Sequence, residues 1–297
     1  MAAIANLVTP ANLAAALLTL APFLWVAFFS RAAAARVRAL PLPAMLFGPA
    51  ALSIPYALVA GAAGVFHWEW LALYAALPVS IAILLWQAAQ IDPDQRGNWR
   101  DFLVLAALGL AVDLRWFEGG WPAHLAIFNK ILLLDAGIYA FVLIRQLEGT
   151  GFDLRLRLAD LAVGLREAAF YTPIALLLGL ALGFLHLHRV WPGFAAIAAA
   201  WIFTFFFVAV PEELFFRGWL QNLLERRLGR TPALLVTAAL FGLAHFNKRA
   251  VYFNWRYVLL AAVAGIFYGR AWRSGRRVGA SSVTHATVDA LWSLWFR

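Results

Sequence analysis

Residues 194–217 read FAAIAAAWIFTFFFVAVPEELFFR. From Phe194 to Val210 the run carries no charge and consists almost wholly of alanine, aromatic and aliphatic residues. The hydrocarbon core of a bilayer takes about 20 residues of this kind as one helix, so the stretch predicts a transmembrane helix over 193–216. The run closes on Pro211-Glu212-Glu213, with Arg217 one helical turn further on. Carboxylates set this close to an apolar core are costly to hold there and point to function.

The rest of the chain has the same character. Of its 297 residues 64% are hydrophobic and 13% charged, and the mean hydropathy is +0.78. Soluble globular chains are about 45–50% apolar and about 25% charged, so this one needs a bilayer to bury its surface. Apolar run length predicts ten candidate helices, over 8–29, 44–66, 68–88, 101–116, 123–144, 167–187, 193–216, 232–247, 256–273 and 279–296. Asp113 and Arg115 weaken the fourth. The expected fold is an all-α integral membrane protein, a bundle of eight to ten transmembrane helices, with a scaffold over 1–150 and a site-bearing half over 151–297.

Arginine sets the orientation. The net charge is +9, and the only lysines are Lys130 and Lys248. Basic stretches at 31–38, 145–166, 217–230 and 270–277 fall on one side if the 101–116 segment also spans, and the positive-inside bias makes that side cytoplasmic, with one violation, the loop 248–256 carrying Lys248, Arg249 and Arg256 outside. Arginines in short loops between apolar runs fit anionic headgroups, not nucleic acid. The cluster Arg31, Arg36, Arg38 follows the first apolar core. A cleavable signal peptide has the reverse order, so the first helix is expected to be retained. Tryptophans near segment ends, among them Trp68, Trp99, Trp191 and Trp295, form the expected interfacial belt. The mixed segment 154–167 (LRLRLADLAVGLRE) is expected to lie along the cytoplasmic interface. With no cysteine, disulfides, thiol nucleophiles and thiolate metal sites are excluded.

Six ionisable residues stand out in apolar surroundings: Asp135, Glu212, Glu213, His245, His285 and Asp289. Five fall between 212 and 289. Glu213 and Arg217 are four apart and share a helix face, whereas Glu212 is turned about 100° away. One carboxylate is thus tied to arginine and the other is left for chemistry. Taken alone, both glutamates could also mark a helix end. His245 closes Phe241-Gly242-Leu243-Ala244-His245 and, taken alone, reads as an interfacial histidine bonded to a carbonyl. His285 and Asp289 share a face by the same i, i+4 spacing, after the small stretch Gly279-Ala280-Ser281-Ser282 that suits close helix packing. Asp135 lies outside this region and reads as structural, paired with Lys130 or with an arginine of a neighbouring helix.

Together, Glu-Glu-x-x-x-Arg, Phe-x-x-x-His and His-x-x-x-Asp, in that order on three late helices, resemble the CAAX protease and bacteriocin-processing (CPBP, Abi) family of intramembrane proteases. The resemblance covers roughly 165–297 and includes Gly265 and Gly269. It implies a helical core with a polar cavity open to the cytoplasm. It also implies that Glu212 and His245 activate water, that Glu213 pairs with Arg217, and that His285 and Asp289 support the oxyanion. The family usually has asparagine where this chain has Asp289. An ionised aspartate cannot donate to an oxyanion, so Asp289 either carries a proton and acts like the amide, which this reading favours, or orients His285 as the acid of a triad does.

Glu212, His245 and His285 also match zinc in type and number. The compact His-Glu-x-x-His helix motif of zinc proteases is absent, and the reading favours a glutamate mechanism without a cofactor. The expected function is therefore intramembrane cleavage of a membrane-associated protein or peptide. Two readings stay beside it: a non-catalytic bacteriocin-immunity or scaffold protein, and a proton-coupled transporter using Glu212 and Asp289. Transporters often carry internal repeats, and none is visible here. The arginine- and alanine-rich composition points to a bacterial inner membrane, and to a sorting tail or secreted peptide in preference to a prenylated substrate.

Overall fold

The computed structural model describes residues 9–122, 125–188, 191–248 and 252–296. Among these residues the regular structure is all helical, apart from one isolated bridge between Leu187 and Phe296. The helices are α1 (Pro10–Arg38), α2 (Leu42–Ala62), α3 (Trp68–Ile91), α4 (Trp99–Asp113), α5 (Ile127–Ile144), α6 (Leu158–Ala181), α7 (Phe194–Leu228), α8 (Arg230–Leu243), α9 (Trp255–Gly275) and α10 (Val278–Trp295). They pack as two compact units, Met1–Glu148 and Gly149–Arg297.

Six of these helices, α1, α2, α3, α5, α6 and α7, are long and apolar enough to cross a membrane. The expected eight to ten is therefore corrected to six. The other four fall short for physical reasons. Helix α4 has 15 residues and α8 has 14, about 21–23 Å at 1.5 Å per residue, against a core of about 30 Å. Helix α9 carries Arg256, Arg270 and Arg273, and α10 carries Ser281, Ser282, Thr284, His285 and Asp289. The arginines of α9 and the polar residues of α10 lower the hydropathy by which spans are recognised.

In the first unit, three expected loop charges are helical. Helix α1 kinks at Phe29, where the apolar run was expected to end, and continues through Arg31, Arg36 and Arg38. Arg145, expected in a basic loop, is buried, with its guanidinium 2.7 Å from Asp92 Oδ2 and 3.0 Å from Asp101 Oδ1. Asp101 also accepts from the Asn98 backbone N–H at the start of α4, so this acid both caps and anchors the weak segment. Among the described residues the expected partner of Asp135 is not found: both carboxyl oxygens are buried and make no hydrogen bond there, and Lys130 is exposed.

In the second unit, the segment 154–167, expected along the interface, is non-helical up to Arg157 and then forms the first turns of α6. The expected loop at 217–230 is helical through Leu228, and the break comes at Gly229, whose φ of +81° suits glycine. Helix α7 is not uniform. Pro211 cannot supply the N–H that a carbonyl one turn earlier needs, and the helix widens to π geometry over Phe205–Ala209 and again over Leu214–Gln221. The single regular turn between them, Val210–Glu213, carries both glutamates. Such π segments recur at functional sites.

Glycines let the neighbouring helices close in. A methyl at Gly242 of α8 would lie 2.5 Å from the Val258 carbonyl oxygen of α9, and one at Gly164 of α6 would lie 2.6 Å from Val283 of α10. Gly265 of α9 sits against the Ala238 backbone of α8 in the same way. These approaches hold the motif-bearing helices at distances over which their polar side chains can meet.

Candidate active site

Glu213 and Arg217 are both fully buried, with Arg217 Nη1 donating to Glu213 Oε1 at 2.9 Å. Arg217 Nη2 donates to the Gly265 carbonyl at 3.1 Å. Its guanidinium lies 4.5 Å from the Phe241 ring centroid, 5.3 Å from that of Tyr268 and 5.8 Å from that of Phe216. A desolvated guanidinium gains most from such aromatic faces, and here they replace the water that an arginine in an apolar interior lacks.

The same glutamate oxygen reaches α10. His285 Nδ1 is 2.8 Å from Glu213 Oε1. A carboxylate can only accept, so Nδ1 carries the proton, and Nε2 is turned towards the other acids. Nε2 lies 3.5 Å from Asp289 Oδ2 and 4.0 Å from Glu212 Oε2. The imidazole stacks on Tyr268 at 4.6 Å between centroids with an interplanar angle of 19°, and meets Phe241 edge-on at 5.7 Å. Ring plane and tautomer are thus both set by neighbours.

Glu212 points elsewhere, as its position on the helix requires. Its Oε1 lies 3.9 Å from Lys248 Nζ, and its Oε2 is buried with no hydrogen-bond partner among the described residues. An acceptor in that state costs free energy unless something donates to it. His245 lies just past the end of α8, and its Nδ1 is 2.8 Å from the Phe241 carbonyl. The carbonyl accepts, so Nδ1 is the donor and Nε2 of the neutral ring is an acceptor.

His245, His285 and Asp289 line one cavity of about 80 Å³ together with Tyr268, Tyr257 and Trp292, and the remaining wall is mostly apolar. The cavity lies in the half of the unit away from Arg226, Arg227, Arg273, Arg276 and Arg277. Phe184 and Leu185, beyond α6, and Phe296, beyond α10, border it. Glu212, His245 and His285 do not form the donor set that zinc would need: among the described residues no group of three or more histidine, aspartate or glutamate side chains converges as a metal site.

Three contributors escaped the sequence. Tyr268 sits between Phe267 and Gly269, with nothing in that apolar setting to mark it. Phe241 was read only as the first residue of its motif. Lys248 was counted as a loop charge, although its three-residue spacing from His245 was visible. Arg249, counted with it, lies outside the described residues.

Buried ion pairs and aimed histidines inside apolar helices thus form a polar site in which carboxylate, imidazole and a water-sized space lie together. The family model described as "Type II CAAX prenyl endopeptidase Rce1-like" matches residues 194–291. That stretch, which holds all six candidate site residues, matches an Rce1-like domain of the CAAX protease (CPBP, Abi) family. No curated protein and no solved structure matches the chain.

Proposed function

We propose that the chain is an intramembrane endopeptidase that cleaves a membrane-associated polypeptide, with Glu212 as the base that activates water. The observation that carries this reading is the unsatisfied Glu212 Oε2, 4.0 Å from His285 Nε2. A water about 2.8 Å from each atom spans that gap. Glu212 takes one proton from this water, and the water oxygen attacks the scissile carbonyl carbon. His245, with Nε2 as an acceptor, helps to orient the same water. The proton held by Glu212 then passes to the leaving nitrogen as the C–N bond breaks, giving a carboxylic acid and an amine.

His285 and Asp289 support the oxyanion of the tetrahedral intermediate. With Nδ1–H directed at Glu213, a doubly protonated His285 still offers an N–H at Nε2, and donors in a dry site stabilise developing charge strongly. Glu213 and Arg217 position His285 and touch no substrate. The scaffold role of 1–150, the protease-core role of 151–297 and a location in a bacterial inner membrane belong to the same proposal. The substrate favoured by composition is a sorting tail or a secreted peptide.

The test compares membrane fractions from cells carrying the wild-type chain or Glu212→Gln by peptide mass spectrometry. New termini at defined positions in membrane-anchored proteins are expected only with the wild type. Identical sets of termini would contradict the reading.

A further inference from the structure

We propose that substrate and water reach the site from the arginine-poor face of the second unit, so that the cleaved bond belongs to a membrane-anchored polypeptide segment on the non-cytoplasmic side. This rests on the protease reading above and reverses the cytoplasmic opening expected from the sequence.

The ends of the unit are fixed by its own contacts. Arg277 bonds Asp160, and Arg273 and Arg276 pair with Glu225. The start of α6, the end of α7, the end of α9 and the start of α10 therefore lie together. Segments 155–157, 226–230 and 273–277 bring eight arginines to this end. The opposite end is tied by the His188 N–H donating to the Trp295 carbonyl at 2.7 Å and the Asn254 N–H donating to the Phe246 carbonyl at 2.8 Å. Its described lysines and arginines are Lys248 and Arg256, while Arg189, Arg249 and Arg297 fall outside the described residues. The positive-inside bias puts the arginine end in the cytoplasm.

The site is displaced towards the other end. Along α10, Asp289 is about 16 Å from Val278 and about 9 Å from Trp295 at 1.5 Å per residue. His245 lies beyond the arginine-distal end of α8, and Lys248, three residues on, reaches Glu212. Burial is equally one-sided. Between the site and the arginines stand Trp219, Leu223, Trp272 and Val278, each at most 1% exposed. On the other side the side chains of Glu212, Asp289 and Lys248 are 27%, 32% and 39% exposed. Charged groups part-open to their surroundings in this way mark where water enters, because lipid cannot solvate them.

The chain has no cysteine, so single cysteines report cleanly. Ala175→Cys and Leu176→Cys line the cavity, Tyr252→Cys is exposed at the arginine-poor end and Ser274→Cys at the arginine end. A membrane-impermeant thiol reagent applied to intact spheroplasts is expected to modify the cysteines at 175, 176 and 252. The cysteine at 274 should be modified only after the membranes are opened. Two cavity variants guard against one that misfolds. Cavity cysteines modified only in opened membranes, or in neither state, would overturn the proposal, as would early labelling at 274. Labelling needs no catalysis, so the expected pattern without cleavage of any membrane protein would reject the protease reading and leave the route standing.

Discussion

Glu213 Oε1 accepts from two helices at once: Arg217 Nη1 at 2.9 Å, one turn away, and His285 Nδ1 at 2.8 Å, 72 residues away. One carboxylate therefore neutralises a buried guanidinium and fixes a histidine tautomer. Removing its charge leaves Arg217 without a counter-ion where water cannot replace it. Breaking one partner of a buried pair costs about 3–5 kcal/mol. Glu213→Gln should therefore unfold at clearly lower temperature in detergent, with cleavage impaired as well. Unchanged melting would show that the pair does not hold the site.

Asp289 Oδ2 is 3.5 Å from His285 Nε2, beyond the usual N–H···O range of about 2.7–3.2 Å. That spacing agrees with an amide-like role in preference to a triad-like one. Asp289→Asn should keep cleavage within a few-fold of wild type, while Asp289→Ala should lose much more. A loss of about 10²-fold or more in Asp289→Asn, with folding intact, would establish the carboxylate role instead.

Glu212, His245 and His285 were the fallback zinc set, and they do not converge as one. Purified protein should hold much less than one zinc per chain by elemental analysis and should keep its cleavage rate after treatment with a strong chelator. About one tightly bound zinc, with activity lost on its removal and restored on its return, would replace the glutamate mechanism.

Acid should loosen the arginine end before it touches the helices. Burial alone would raise the Asp153 carboxyl, but hydrogen bonds from Arg155 and Arg277 outweigh it and hold the group below its ordinary value. A depressed carboxyl contributes stability above its unfolded pKa of about 3.9 and loses it as pH falls through the folded value. The melting difference between wild type and Asp153→Asn should therefore stay constant from neutral pH to about pH 5 and vanish in stronger acid. A difference that grows on acidification would contradict this.

Much of the site was legible because its pairs are local. Glu213 and Arg217 sit at i, i+4, and that spacing survives the π geometry that follows. Apolar run length located all ten helices named among the described residues. What failed was whatever depends on tertiary placement. Arg145 read as a loop charge because arginine is rarely buried, yet Asp92 and Asp101 enclose it. The bond between Glu213 and His285 leaves no trace in spacing. The absent partner of Asp135, and the position of the cavity relative to the arginines, depend on which helix faces meet.

If Glu212, and not its neighbour, activates water, purified Glu212→Gln should melt like the wild type but cleave a substrate that the wild type cuts about 10²-fold or more slowly, with rate and melting temperature read on the same preparation. A Glu212→Gln protein that cleaves at the wild-type rate would show that another group is the base.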